Sequence, residues 1–186
     1  MTTPSDETLA KMTQGGDNDA FGILVDRYEP KLLRYAKRFL FGYDDAHDLV
    51  QETFLKAYVN IKGFDISRSF SAWIYRIAHN EFINAIKRKG REPIPFFDTD
   101  TLFPHPTTQE TADRAYLEKE LSEMLDKCLA SLDPKYREPL VLYYYEEKNY
   151  QEIGEILHLP PSTVGVRLKR AKEQLEKCYY KLNGTN

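Results

Sequence analysis

The sequence predicts an all-α protein: two small helical bundles joined by a Pro-rich linker, the second containing a helix-turn-helix. Three observations carry that prediction. Apolar residues recur at three- and four-residue spacing through most of the 186 residues, while alternating β-branched stretches are rare. Only 9 glycines interrupt the chain. One stretch, "REPIPFFDTDTLFPHPTTQETADRA", loses the helical period and holds four prolines.

The first helix runs through "DAFGILVDRYEPKLLRYAKRFL", where Phe21, Leu24, Val25, Tyr28, Leu32, Tyr35 and Phe39 form one stripe. Pro30 is expected to break or kink it, because its ring clashes with the preceding turn and removes a hydrogen bond. A second helix follows from Asp44 to Asn60, burying Ala46, Val50, Phe54 and Ala57, with Ile61 next in the stripe. "KGFDISRSF" leads into a third, "SAWIYRIAHNEFINAIKRKG", with Ile74, Ala78, Phe82 and Ala85 inward and Gly90 as its stop. These elements make a first domain of residues 1–92, followed by a linker at 93–115.

Residues 116–186 form the second domain. "YLEKELSEMLDKCLASL" restores the helical period, and Asp133 with Pro134 in the first turn opens another helix. In "NYQEIGEILHLPPSTVGVRLKRAKEQLEK", Asn149 and Glu152 fit a capping box, with Ile153, Ile156 and Leu157 on the buried side. Pro160 and Pro161 force a turn, Ser162 is placed to cap the next helix, and Gly154 lets the two helices approach. Val164, Leu168, Ala171 and Leu175 share one side of that last helix. Neither domain is large enough for a generous core, so partner binding is expected to add stability.

Charge has to be read segment by segment. The net charge of −3 gives no whole-chain sign of nucleic-acid binding. From Ser162 to Lys181, however, there are six basic and two acidic residues. Ser162, Thr163, Val166, Lys169 and Arg170 point away from the buried side, with Arg167 at its flank. A short helix, a tight turn and a helix with a basic outer face is the pattern that enters a major groove. A plain helical hairpin with a solvated cationic face is the simpler alternative.

The third predicted helix repeats the asymmetry, with six basic residues and one acidic between Arg68 and Arg91. Arg76, Asn80, Asn84 and Lys87 lie opposite its buried side, together with Trp73 and Ile77. Amides pair with base edges, cations neutralise phosphate and an indole stacks on an unpaired base. Phe64 offers a second aromatic, although Trp73 fits a core position equally well. The second predicted helix is different. Asp48, Gln51, Glu52, Leu55 and Val59 face outward, with Asp44 and Asp45 at its start, where the helix dipole favours carboxylates. Carboxylates repel DNA. Apolar residues among them suit a protein partner with a basic rim, or an ordinary solvated surface.

Cys128 and Cys178 have no metal-ligand spacing and are expected to be reduced, incidental thiols of a cytoplasmic protein. The N-terminus lacks the pattern of a secretory signal, and no apolar run reaches membrane-spanning length, so no membrane insertion is expected. His47, His79, His105 and His158 are scattered, and no phosphate-cradling loop or nucleophile elbow is present. No catalytic residue, metal or cofactor is expected, and the chain is not read as an enzyme.

"DAHDLVQETFLKAY", "SFSAWIYRIAHNEFINAIKRK" and "LDPKYREPLVLYYYEEKNYQEIGEILHLPPSTVGVRLKRAKEQL" resemble, in this order and spacing, a bacterial sigma factor of the extracytoplasmic-function (ECF) group within the sigma-70-like superfamily. The resemblance implies a sigma region 2-like first domain and a region 4-like second. It implies that Asp45, Asp48, Gln51, Glu52 and Leu55 bind the β′ clamp helices of the RNA polymerase core, with the β flap a further contact. It assigns Phe64, Trp73, Arg76, Asn80, Asn84, Lys87 and Arg88 to reading and melting the minus-ten promoter element. Ser162, Thr163, Val166, Arg167, Lys169 and Arg170 would read the minus-thirty-five element as duplex. A stress-responsive role under an anti-sigma factor follows from the same likeness. Gly165, Val166 and His158 depart from what the family commonly shows at those positions. The rival reading is a stand-alone helix-turn-helix regulator, which would bind promoter duplex without polymerase.

Overall fold

The computed structural model describes residues 4–40, 45–89 and 112–184. Eight α-helices and no strand occur among them: α1 (Asp6–Gln14), α2 (Asn18–Phe39), α3 (Ala46–Asn60), α4 (Phe70–Lys89), α5 (Ala112–Ser131), α6 (Pro134–Tyr144), α7 (Tyr150–Leu157) and α8 (Pro161–Leu182). A single 3₁₀ turn, Ile61–Gly63, follows α3. Asp44, Gly90 and the proline-rich stretch up to residue 111 lie outside the described residues. The chain is already helical at Ala112, so α5 begins inside the segment assigned to the linker.

Helix α1 was not anticipated. Ser5 caps it by accepting from the Thr8 amide, and Asp6 and Glu7 place carboxylates in its first turn. Leu9 and Ala10 bury its inner side. Helix α2 runs unbroken through Pro30, contrary to expectation, with the proline on its exposed side. A ring that faces water leaves the lost backbone bond to be satisfied by solvent, so the helix need not end there.

The first four helices pack as a unit, α1 on α2, α2 on α3 and α3 on α4. Their centre is aromatic. Tyr35 lies 5.0 Å from Phe82 and 5.6 Å from Tyr75, ring centre to ring centre. Helices α5 to α8 form the second unit, where the capping box at Asn149 and Glu152 is present as the sequence predicts. Ser162 does not cap α8: the helix starts one residue earlier, at Pro161, and Pro160 holds the cap position without a side-chain bond.

The two helical bundles are present as expected, and they also pack on each other: one continuous cluster of buried apolar residues runs from Leu9 to Ala171. Helix α4 packs on α7 and α2 on α6, so each small unit completes its core on the other. One expectation fails: the cysteines are not incidental thiols. Cys128 on α5 and Cys178 on α8, 50 residues apart in sequence, are joined as a disulfide. Packing brings together two residues whose spacing gave no hint of it.

A cross-link closing a loop of this length removes denatured-state entropy worth about 4 kcal/mol in the chain-entropy account. Cys178→Ser is therefore expected to lower the melting temperature of the oxidised protein. Dithiothreitol should produce the same drop in the wild type and none in the variant, as read by circular dichroism melts.

Candidate functional site

Three surfaces gather the chemistry. The first lies on α3. Leu49, Val50, Thr53, Phe54 and Ala57 are buried, so every residue on the other side of this amphipathic helix is left outside. Asp45, Asp48, Gln51 and Glu52 are exposed. Leu55 and Val59 are 63% and 78% exposed, an unusual degree for aliphatic side chains. Lys56 turns aside to Glu81 on α4, with Nζ 2.6 Å from its carboxylate and 3.7 Å from that of Glu52. The expected acidic and apolar face is therefore present.

The second surface combines α4 with the segment before it. Ser69 Oγ accepts from the Ala72 amide, and Glu7 of α1 accepts from the Phe70 amide at 3.1 Å, so two side chains fix the start of α4. Gln14 donates to the carbonyls of Ile61 and Phe64, both at 2.8 Å. Helix α1 thereby holds the connection that carries Phe64. No local sequence pattern marks Glu7 or Gln14 for this task, since their partners lie more than 45 residues away.

Phe64, the second candidate aromatic, lies beneath Trp73 and not on the surface. It is 5% exposed, with its ring 5.0 Å from Trp73 and 5.6 Å from Phe70. Apolar area of that size is more stable inside than in water, and two neighbouring rings provide the place. Trp73 is half-buried, serving as the lid of this cluster while one side borders open space. Beside it lies a cavity of about 400 Å³ walled by Lys56, Trp73, Arg76, Ile77, Asn80 and Glu81. It offers an aromatic wall, a side-chain amide and both signs of charge, which suits a planar polar group. Asn80, Asn84, Lys87 and Arg88 are exposed along the same helix and Arg76 is half-buried, so these five share the predicted face. Lys56 and Glu81 are additions the sequence reading missed.

The third surface is the helix-turn-helix of α7 and α8. A Cβ on Gly154 would sit 2.6 Å from the carbonyl oxygen of Leu159, so this position excludes every other residue without backbone movement. His158 closes α7 in the left-handed region, at φ 54° and ψ 47°, where glycine is the common solution. Val164, Leu168 and Ala171 are buried, and Leu175 packs at the edge of the core. Ser162, Val166, Lys169 and Arg170 are exposed, and Thr163 and Arg167 partly so, as predicted. Arg170 reaches the Tyr136 hydroxyl at 3.4 Å, and Lys169 lies 4.0 Å from Glu173.

An all-helical chain with a helix-turn-helix, a second amide- and cation-bearing helix and a third helix with an acidic, apolar outer face has the make-up of a DNA-binding protein with a further surface for a protein partner. Comparison with known proteins specifies the class. Residues 24–92 match the family model of Sigma-70 region 2, and residues 122–175 match Sigma-70, region 4. The ECF RNA polymerase sigma factor SigW of Bacillus subtilis (strain 168) is 39% identical over 175 residues, covering 90% of this chain and 92% of that protein. The RNA polymerase sigma-H factor of Pseudomonas aeruginosa is 31% identical over 188 residues, covering 96% and 95%. Among solved structures, CnrH in complex with the cytosolic domain of CnrY superposes with a TM-score of 0.69 at 27% identity, over 97% of this chain and 99% of that one. Sigma factor RpoE from Bartonella quintana, solved with the anti-sigma factor NepR, shares the fold at 24% identity and a TM-score of 0.68, over 85% and 95%. The chain belongs to the ECF sigma factors of the sigma-70 family.

Gly154→Ala is expected to destabilise the helix-turn-helix by about 1–3 kcal/mol, the usual range for forcing an atom into filled space. The result should appear as a lowered melting temperature. An unchanged melt would show that the turn yields easily.

Proposed function

We propose that the three surfaces divide the work of initiation between a protein partner and two stretches of promoter. The face of α3, through Asp45, Asp48, Gln51, Glu52 and Leu55, binds the β′ clamp helices of the polymerase core, and the second domain meets the β flap. Helix α4 and the loop before it bind the minus-ten element as it melts. An unpaired base stacks at Trp73 with its polar edge toward Asn80, while Arg76, Asn84, Lys87 and Arg88 hold backbone or flanking bases. Phe64 acts from below as the ring that sets the angle of Trp73. Helix α8 reads the minus-thirty-five duplex through Ser162, Thr163, Val166, Arg167, Lys169 and Arg170.

The working units are residues 1–92 and a second domain running to 186, with the linker now ending before Ala112. The chain carries out no chemistry of its own and acts in the cytoplasm, where core polymerase is found. It serves an alternative, stress-responsive programme under an anti-sigma partner. Among the described residues no helix is long and apolar enough to cross a membrane.

The single observation that carries this reading is the pairing on one domain of two unlike faces. Leu55 and Val59 stand bare among carboxylates on α3, and the cavity at Trp73 and Asn80 opens on α4. A stand-alone regulator has use for neither.

Run-off transcription with purified core polymerase on a genomic promoter library tests the function as a whole. Glu52→Lys is expected to weaken binding to core at least tenfold, about 1.4 kcal/mol, with helical content intact; an unaltered co-purification removes the α3 assignment. Asn80→Ala should leave upstream duplex contacts in place but reduce permanganate reactivity of the melted strand. Equal reactivity in variant and wild type takes Asn80 out of the site.

A further inference from the structure

The outward stripe of α8 holds one residue that does not match the rest. Ser162, Thr163, Arg167, Lys169 and Arg170 are polar or charged, whereas Val166 among them is a branched aliphatic that is 52% exposed. Ser162, Val166 and Arg170 follow one another at helical spacing, so the valine stands in the middle of the face and not at its edge. Val166 lies outside the apolar cluster of the core. Valine is also a weaker helix former than arginine, lysine or alanine. Neither packing nor local preference accounts for it.

Its neighbours leave it bare. The stems of lysine and arginine commonly shelter exposed apolar groups. Here Lys169 leans to Glu173 one turn further on, at 4.0 Å, and Arg170 to the Tyr136 hydroxyl on α6, at 3.4 Å. On the N-terminal side Ser162 and Thr163 are short. Gly165 has no side chain, and the Tyr150 ring fills that flank, 3.4 Å from where a Cβ would stand. The start of α8 therefore presents hydroxyls and cations around one methyl-bearing knob. From Pro161 to Lys172 the chain has no acidic residue, so the surroundings of this knob suit a polyanion.

Such a knob is selective in a major groove. Every base edge there shows hydrogen-bond donors or acceptors, and thymine alone adds an apolar group, its C5-methyl. Valine pressed on a purine edge or on the cytosine amine strips water from polar atoms and returns no hydrogen bond. Against the thymine methyl, the same side chain buries apolar area on both partners.

We propose that Val166 is a specificity-determining contact that selects a thymine of the upstream element by its C5-methyl group. The proposal rests on the assignment of α8 to that element and adds the base chemistry it demands at one step.

The test uses core polymerase reconstituted with the intact chain. An upstream element is first selected from duplex randomised across it, and the recovered duplex is remade with deoxyuridine in place of each thymine in turn. That exchange removes a methyl group and keeps the O4 acceptor. At one position it should weaken binding about fourfold, the effect of one buried methyl-sized group. Val166→Ala, which favours the helix, should bind the thymine duplex equally weakly and lose its sensitivity to deoxyuridine there. Arg170→Ala should reduce occupancy of both duplexes alike. The thymine contact is overturned, and the upstream assignment stands, if Arg170→Ala has this effect but no thymine is sensitive, or if deoxyuridine weakens Val166→Ala as much as wild type. Should neither substitution alter occupancy of the element, α8 does not read it and both readings fall.

Discussion

Everything in this structure depends on two carboxylates that a small helical protein has no evident reason to bury. A carboxylate taken out of water costs several kcal/mol unless its lone pairs are filled, and breaking such a pair leaves that cost exposed. Glu138 takes the Tyr35 hydroxyl and His79 at its Oε1, and Glu146 takes Arg34 and the Tyr75 hydroxyl, all from the other domain. Burial, and then the neighbouring carboxylates, push the hydroxyls of Tyr35 and Tyr75 well above the ordinary tyrosine range, so both remain protonated donors. Arg34, hydrogen-bonded to Glu146, is held even more firmly as a cation. This polar seam lies beside the shared core, the apolar cluster that runs from Leu9 to Ala171 across both domains. Buried polar contacts of this kind are specific in geometry and weak in net energy, so they fix how the two domains meet more than how tightly they hold.

A second seam element shows the same economy. Arg38 places its guanidinium 3.9 Å from the ring centre of Tyr145 and its Nη1 3.5 Å from Asp126 on α5. Burial raises the Asp126 carboxyl above the usual range, and Arg38 opposes that shift. Arg137 is buried as well; its Nη1 donates to the carbonyl of Phe39 and its Nη2 to those of Ala130 and Leu132. The cations of the interior answer to backbone and carboxylates, whereas those of α4 and α8 are turned to solvent. That sorting lets an acidic chain keep two positive surfaces.

How much of this was legible in the sequence follows from the range of each interaction. Helical periodicity, the Asn149–Glu152 capping box, the Asp133–Pro134 start and the outward faces of α3 and α8 are set within one or two turns, and each reads directly from residue spacing. Pro30 misled because its local cost was weighed without the packed stripe on both sides of it, which holds α2 together through the lost hydrogen bond. Ser162 misled because Pro161 is itself a competent first helical residue and displaced the cap. Phe64, the disulfide and the seam were illegible for one common reason. Their partners are 6 to 112 residues away, and only the fold brings them together. His79 is the instructive case: on a helical wheel it borders the cationic side of α4, yet it turns to a glutamate 59 residues later.

The charge distribution also bears on why such a chain needs polymerase at all. Duplex affinity comes largely from neutralised phosphates, and a chain of net charge −3 gains little of that over its whole surface. Each reading face then supplies a modest local attraction that carboxylates nearby, such as Glu173 beside Lys169, reduce further. Two weak sites on one chain gain affinity when something rigid holds them at the spacing of their targets, because the second contact becomes intramolecular. In the function proposed above, the acidic, apolar face of α3 is the part that is held, and a low intrinsic affinity for DNA is a working property. It keeps the free chain off non-specific duplex, and it leaves promoter choice to the complex in which both faces are correctly placed.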